Sequence, residues 1–362
     1  MNPAVAAIVE RVRDAHASGR PLRIRGGGTK DFYGEAPTGD VLDVSTLVGA
    51  ADHEPTELVV TAPAGMALVD LEALLAEKGQ CLPFEPPRFG PGSTVGGMVA
   101  AGLSGPSRAA AGSLRDHLLG VTLISGAGEL MHFGGRVIKN VAGYDVSRLI
   151  AGSLGILGVI VEVSLKVLAR AQAETTLRFD AKPGEALALL HGWGARPLPL
   201  DASAWWNGSL IVRLRGASAA VAEAARTLGG ETIPPAAATP FWESLRDHTD
   251  PFFIAAEDAI AHQDATLWRL SLPQTAPLLG LAGDELIEWH GGQRWLATSL
   301  PAKGIREAAA GVRGHATLFR GRDKSAGVFA PLSPALRAIH ERLKHAFDPN
   351  GILNPGRLYP GL

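Results

Sequence analysis

Residues 91–110 read PGSTVGGMVAAGLSGPSRAA, a stretch dense in glycine and small residues with no acid, base or nucleophile in working order. Any chemistry here must come from something the stretch holds. Glycines lack Cβ atoms and let backbone N–H groups approach a ligand closely, and successive exposed N–H donors suit a phosphate or pyrophosphate. A flexible loop is the competing reading. Against it, Val95, Met98, Val99 and Leu103 fall between the glycines at roughly helical spacing, as in a packed turn-helix-turn.

Two further segments share this character. A strand-like piece at 22–24 runs into Arg25, Gly26, Gly27, Gly28, Thr29 and Lys30, and Gly152, Gly155 and Gly158 recur at close spacing within 136–158. A nicotinamide fold would use one G-x-G-x-x-G turn between strand and helix, with an acidic residue about twenty positions on. Gly152-Ser153-Leu154-Gly155 lacks that spacing and leads into a strand pattern, and no Gly-Lys-Ser/Thr follows any of these glycines, so a P-loop is missing too. Separated backbone loops closing on one extended ligand suit a dinucleotide bound along its length.

A chain of 362 residues predicts two domains, and 46% hydrophobic with 19% charged residues describes a globular protein. The formal charge of −2 gives no electrostatic footprint for nucleic acid or an anionic membrane. The uncharged run 89–107 is rich in Gly, Pro and Ser, and the more apolar 149–161 is too short, so no membrane span is expected. Glu10, Arg11 and Arg13 stand where a secretory peptide needs its apolar core, and 1–19 reads as an amphipathic helix in a cytoplasmic, reducing setting. Cys81 is the only cysteine. It excludes an intrachain disulfide, a cysteine zinc site and an iron-sulfur cluster held by this chain alone, and reads as a small buried hydrophobe. No metal site is expected.

Strand patterns at 41–44 and 58–61 and a helix at 67–78 complete the N-terminal part. Residues 118–125 and 129–133 flank Gly126-Ala127-Gly128 as a hairpin, and 159–167 alternates strictly between apolar and polar residues. Near 171–174 the composition turns to Ala, Pro and Trp. Strands at 175–179, 209–215, 266–272, 285–290 and 293–298 alternate with helices at 184–190, 217–228 and 305–312, which predicts an α+β domain with an antiparallel sheet and helices on one face. Residues 234–240 read as a Pro/Ala loop. Ser333 and Pro334 open a last helix with Leu336, Ile339, Leu343 and Phe347 as its apolar stripe, followed by turns at 348–351 and 354–356 that return the tail to pack.

Four segments carry a resemblance: Arg25-Gly26-Gly27-Gly28-Thr29, then PGSTVGGMVAAGLSGP, then KNVAGYDVSRLIAGSLGILG, and finally FDPNGILNPGRLYPG. In this order they resemble the marks of the vanillyl-alcohol-oxidase type (PCMH-type) FAD-binding family. KNVAGYDVSRL and NPGRLYPG are especially similar to the FAD-binding subunits of bacterial glycolate oxidases within it. The resemblance implies a PCMH-type FAD-binding domain at 1–170, made of two α+β subdomains (3–81 and 82–170). It also implies an α+β cap domain at 171–332 for substrate or partner docking, and a tail at 333–362 returning to the FAD domain. Carried over motif by motif, Arg25, Gly26, Gly27, Gly28 and Thr29, with Pro91, Gly92, Ser93, Thr94, Gly96 and Gly97, would hold the pyrophosphate. Ser104, Gly105, Arg115 and Asp116 would line the flavin, Gly155, Ile156, Gly158 and Val159 its other side, and Asn354 and Arg357 would stand near the isoalloxazine. Thr29 stands where covalent members carry histidine, which implies non-covalent FAD. Tyr144 and Asp145 read as support for a helix start.

The family's larger catalytic subunits show G-H-x-G-D-G-N-x-H and H-G-x-G stretches, and neither is present here. His315 stands about where the first should be. His315, Arg269 and Arg294 are the catalytic candidates, with Trp268 and Trp295 beside the arginines equally compatible with arginines turned outward. The resemblance thus implies a subunit that works in a complex with a larger FAD-containing subunit and an iron-sulfur subunit, oxidising a small 2-hydroxy acid such as glycolate. A self-sufficient 2-hydroxy acid dehydrogenase and a structural subunit with a redox-silent flavin are the other readings. All seven tryptophans lie beyond residue 171, and a Trp-rich cap fits either core or a docking face.

Overall fold

The computed structural model describes residues 2–135 and 145–362. The chain forms two compact units, Met1–Leu103 with Ser113–Ala169 and Pro331–Leu362, and Ser104–Gly112 with Arg170–Ala330.

The first unit opens with the helix Pro3–Ser18. Asn2 caps it, its side chain accepting from Ala4 N, and Gly19 in the left-handed region ends it. Val5, Ile8, Val9, Val12 and Ala15 bury one stripe. Strands Leu22–Arg25 and Asp40–Asp43 then pair in parallel. A separate five-stranded sheet has the order Asp52–Glu54, Val59–Pro63, Val159–Lys166, Leu118–Ile124, Leu130–Gly134, with every neighbour antiparallel. The period-two pattern of residues 159–166 and the glycine hairpin at 126–128 both appear as read, because each is a local rule with one solution. One apolar core joins the first helix, the sheet, the helix Leu68–Glu77 and the helix Val95–Ala101.

The tail returns to this unit. Leu22 N donates to Ile352 O, Asn354 N to Leu22 O, and Leu22 bridges Leu353 in parallel, so the chain end extends the small sheet. Ser333 caps the helix Pro334–Phe347 as expected, its side chain accepting from Leu336 N. The expected stripe is only half used: Leu336 and Ile339 are 50% and 44% exposed, and only Leu343 and Phe347 pack on the core.

The second unit is built on an eight-stranded sheet in the order Glu231–Ile233, Ala173–Asp180, Ser209–Gly216, Leu200–Trp206, Asp284–Glu288, Gln293–Thr298, Thr266–Ser271, His315–Arg320. Its neighbours are antiparallel throughout. Helices cover both faces, not one. Pro183–Gly194 and Ser218–Leu228 pack on Leu177, Val212 and Ile287, and Ala302–Gly311 packs on Trp268 and Leu296. On the opposite face, Trp242 of the helix Pro235–Asp247 donates to Thr176 Oγ1, and Phe253 of Pro251–His262 stacks on His248 and meets Trp295 edge-on. The reading of 234–240 as a loop hid the first of these helices. Pro235 sits in its first turn, where no donor is needed, and burial of Ala238, Trp242 and Leu245 outweighs the donor missing at Pro240.

The tryptophans are core. Trp193, Trp205, Trp242, Trp268, Trp289 and Trp295 are all buried, and only Trp206 is partly exposed, so they present no docking face. Cys81 is half-buried on the short strand Gln80–Cys81, not sealed in the core. No helix among the described residues is long and apolar enough to cross a membrane.

Candidate cofactor-binding site

A cleft of about 750 Å³, partly open to solvent, lies in the first unit. One wall is the turn that follows the strand Leu22–Arg25. Asp31 folds this turn back: its N–H donates to Gly28 O, and its carboxylate takes Arg23 Nη2 at 2.6 Å and Arg25 Nε at 2.9 Å. Gly28 sits at φ +73°, open to glycine at little cost. Among the described residues, the N–H groups of Gly26, Gly27, Gly28 and Thr29 donate to no protein acceptor. Four consecutive open donors facing a cleft form a nest for an anion.

The second wall is the helix Val95–Ala101, capped by Thr94, whose Oγ1 accepts from Gly97 N. The residues leading into it pack on the first wall at Gly27, and the helix itself packs on Ala64 at Gly96, so closely that a side chain would clash at either position. A Cβ on Gly27 would overlap the Gly92 carbonyl oxygen, and one on Gly96 would stand 2.8 Å from Ala64 Cβ. Lys30 bridges the walls, its Nζ donating to Ser93 Oγ at 2.8 Å.

The third wall is residues 154–160 with the tail. Asn354 Oδ1 accepts from Ile24 N at 2.7 Å and its Nδ2 donates to Leu154 O at 2.6 Å, pinning the first strand to the glycine segment. Gly155 must be glycine here, since at φ +76° its Cβ would lie 2.7 Å from Asn354 Nδ2. Arg357 donates to the Glu35, Asp31 and Lys30 carbonyls and so holds the outer side of the glycine turn. Burial pushes its guanidinium down from its ordinary value, opposed by Asp31. Behind this wall Lys344 Nζ donates to Asp348 Oδ2, Leu353 O and Ile156 O, all within the core.

Of the residues named from sequence, Arg25, Gly26, Gly27, Gly28, Thr29, Thr94, Gly96, Gly97, Gly155, Gly158, Asn354 and Arg357 line this cleft together. Pro91, Gly92, Ser93, Ile156 and Val159 are not among its lining residues: Gly92 backs Gly27, Ser93 receives Lys30, Ile156 receives Lys344, and Val159 starts a buried strand. Arg115 donates to Ala151 O, and Asp116 caps a short helix turn through Ser113, whose N–H holds the carboxyl below its usual range. Ser104 and Gly105 belong to the second unit, where Gly105 O accepts from Trp289 Nε1. Residues 139–143 and Tyr144 of the third motif lie outside the described residues, whereas Asp145 caps the helix Val146–Ile150. Sequence reasoning missed Lys30, Asp31, Ala100, Ala101 and Leu154 as lining residues. Lys30 and Asp31 continue the turn that Gly26 to Thr29 begin, Leu154 precedes Gly155, and Ala100 and Ala101 lie on the face of Val95–Ala101 that carries Gly97, a signal that was present.

The catalytic candidates all stand in the second unit. Arg294 is fully buried and turned inward, on the Trp268 face of the sheet, its Nη1 and Nη2 donating to Pro277 O and Ala276 O. The outward reading is therefore corrected. Arg269 pairs with Trp295 across the sheet and lies over the Phe319 ring at 5.8 Å. His315 opens its strand and is exposed. Among the described residues no group of His, Cys, Asp and Glu could hold a metal ion.

The open N–H nest, the glycine walls that admit no side chain, and Arg25, Lys30 and Arg357 at the same cleft fit the pyrophosphate of FAD.

Comparison with known proteins agrees. Residues 4–134 match the FAD binding domain family and residues 320–358 the C-terminal domain of FAD linked oxidases. Glycolate oxidase subunit GlcE of Escherichia coli (strain K12) is 44% identical over 98% of this chain and 97% of that one. Glycolate oxidase subunit GlcD of Bacillus subtilis (strain 168) is 30% identical over 43% of this chain and 34% of its own length. A solved structure of alkyldihydroxyacetonephosphate synthase superposes with a TM-score of 0.67, covering 97% of this chain and 74% of that one at 16% identity, a likeness of fold. The chain is an FAD-binding member of the FAD-linked oxidases and belongs to the family of glycolate oxidase subunit GlcE.

Proposed function

We propose that this chain is the FAD-binding subunit of a complex that oxidises a small 2-hydroxy acid, glycolate to glyoxylate, on the cytoplasmic side. Electrons would pass through a larger FAD-containing subunit and an iron-sulfur subunit to a further acceptor. The observation that carries the reading is the nest of open N–H donors from Gly26 to Thr29, held against Gly92 in a chain similar along its whole length to a glycolate oxidase subunit.

Bound in the cleft, FAD would supply two-electron redox chemistry. The chain's own part is to bind and orient. Gly26 to Thr29 would take the pyrophosphate through N–H groups, with Lys30 and Arg25 supplying charge. Asn354 and Arg357 would act indirectly, keeping the strand end and the glycine turn in place through the carbonyl and N–H groups they hold. Thr29, at the position where covalent members of the family carry histidine, lines the cleft, which supports non-covalent attachment. Among the described residues the carboxylate lining the cleft is Asp31, and it is tied up by Arg23 and Arg25. This supports substrate oxidation that depends on partner subunits.

An absorbance spectrum of the isolated chain followed by anaerobic glycolate tests the reading. An oxidised-flavin spectrum that persists with glycolate and bleaches once the partner subunits are added is the expected result. Bleaching by the chain alone would return catalysis to it, and flavin that stays with acid-precipitated protein would show a covalent bond.

A further inference from the structure

Arg23 and Arg25 stand two residues apart on the strand Leu22–Arg25, and strand alternation puts them on one face. The turn that follows brings Asp31 back to both. Arg23 Nη2 and Arg25 Nε reach the same oxygen, Asp31 Oδ2, at 2.6 and 2.9 Å. A carboxylate on the wall of a cleft that takes a pyrophosphate repels the ligand, and its place there calls for a reason. We propose that Asp31 is a positioning residue: by holding Arg25 Nε it sets the two Nη groups of that guanidinium beside Gly28 for the cofactor phosphates. This role rests on the assignment of FAD to the cleft, and every residue in it belongs to the first unit.

Asp31 is fixed through its own backbone. Its N–H donates to Gly28 O at 3.1 Å and its carbonyl accepts from Arg357 Nη2 at 2.9 Å. The carboxylate therefore starts from a settled point. Arg25 does not, since its side chain is 44% exposed and packing alone leaves it room to move. Arg23 is the better covered of the two arginines and lines no part of the cleft, so it balances the Asp31 charge from behind.

The place that Arg25 takes is shown by Gly28. The heavy atoms nearest to a Cβ built there are Arg25 Nη2, Cζ and Nε. The guanidinium thus lies along the Gly28 backbone, in space that only glycine leaves open, next to the N–H groups of 26–29. Gly28 is required twice, for its φ of +73° and for this room. Of the guanidinium's N–H donors the one on Nε goes to Asp31, and among the described residues those on Nη1 and Nη2 donate to no protein acceptor. Donors in one fixed plane match phosphate oxygens in pairs. An arginine left loose would lose rotamer freedom on meeting the ligand, and holding it beforehand removes that loss.

The test uses the full chain stripped of flavin and titrated with FAD by fluorescence quenching, as wild type, Asp31→Asn, Arg25→Ala and the double variant. Asp31→Asn keeps the backbone donor and removes a negative charge, so charge alone predicts tighter FAD binding. Positioning predicts the opposite sign, a Kd raised about two- to tenfold, as expected when one side chain must be ordered on binding. In the Arg25→Ala background the same substitution should no longer weaken binding, because no guanidinium is left to aim. Arg25→Lys keeps the charge without the planar fork and should lie closer to Arg25→Ala than to wild type, a reading that stands even where Asp31→Asn does not fold. ADP, which carries the pyrophosphate without the flavin, should give the same pattern of signs as FAD. Asp31→Asn that binds as tightly as wild type or tighter, an equal weakening in both backgrounds, Arg25→Lys that matches wild type, or a pattern absent with ADP overturns the role and leaves the cofactor assignment intact. A wild-type chain that takes up no FAD overturns both.

Discussion

Gly27 shows how tightly a single position can bind function to packing. Its missing Cβ is what allows the turn after the first strand to rest on the Gly92 carbonyl, in the stretch 26–29 that lines the cleft with unbonded N–H groups. Gly27→Ala should push the walls apart, with an overpacking cost of about 1–3 kcal/mol and at least a tenfold loss of FAD affinity. Equilibrium titration of the apo chain measures it, and wild-type affinity would refute the close-contact account. A second residue-scale prediction concerns pH. Burial lowers the basicity of His290 to about pKa 4, with the Asp201 charge acting in the opposite sense, and burial pushes His248 well below its ordinary value. Both rings fold neutral, so the unfolded chain binds more protons between about pH 6.5 and 4, and stability falls as pH falls through that window. For His290 alone the loss is about 3 kcal/mol at most. Melting of the wild-type chain and of His290→Asn, compared from pH 7 to pH 4, should show a shallower slope in the variant. Asparagine tolerates the left-handed backbone there.

Elements were legible where local rules sufficed and obscure where tertiary packing overrode them. The alternating strand at 159–166, the hairpin at 126–128 and the capped last helix each follow from spacing or turn chemistry. The helix Pro235–Asp247 does not. Prolines at both ends of its first two turns speak against it, and only the burial of Trp242 and Leu245 beneath the sheet decides for it. The last helix holds the opposite surprise, because its most deeply buried side chain is Lys344 and not the stripe leucines. Burial lowers the Lys344 pKa, opposed by the Asp348 carboxylate, and the ammonium ties three groups of the tail and glycine segment together. Lys344→Met would leave Asp348, itself 1% exposed, facing only the N–H groups of Ile352 and Leu353. Removing one partner of such a pair costs about 3–5 kcal/mol. Thermal unfolding should register this as a lower Tm, and an unchanged Tm would mean that water reaches the carboxylate.

At the scale of the whole molecule, the cleft could be read from glycine segments because its walls carry glycines at positions where a side chain would clash, and such backbone leaves a composition signature. The Ser107–Asp201 contact could not, since the two residues are far apart in sequence and carry no spacing rule. Nor could the inward placement of Arg294, which only the register Leu270↔Arg294 sets. The same division predicts how cofactor loading acts. Cleft walls contributed by residues 24–31, 94–101, 154–160 and the tail meet only in the folded first unit, so FAD binds the native state and not the unfolded chain. Mass action then raises stability by about 2.7 kcal/mol when free FAD stands at a hundred times its Kd. Differential scanning calorimetry of apo and FAD-saturated chain should show an upward, concentration-dependent shift in the transition of the first unit. FAD without its flavin ring, supplied as ADP, should reproduce part of the shift through the pyrophosphate nest alone. A transition that ignores both ligands would mean that the nest does not hold the pyrophosphate, whatever else the cleft binds.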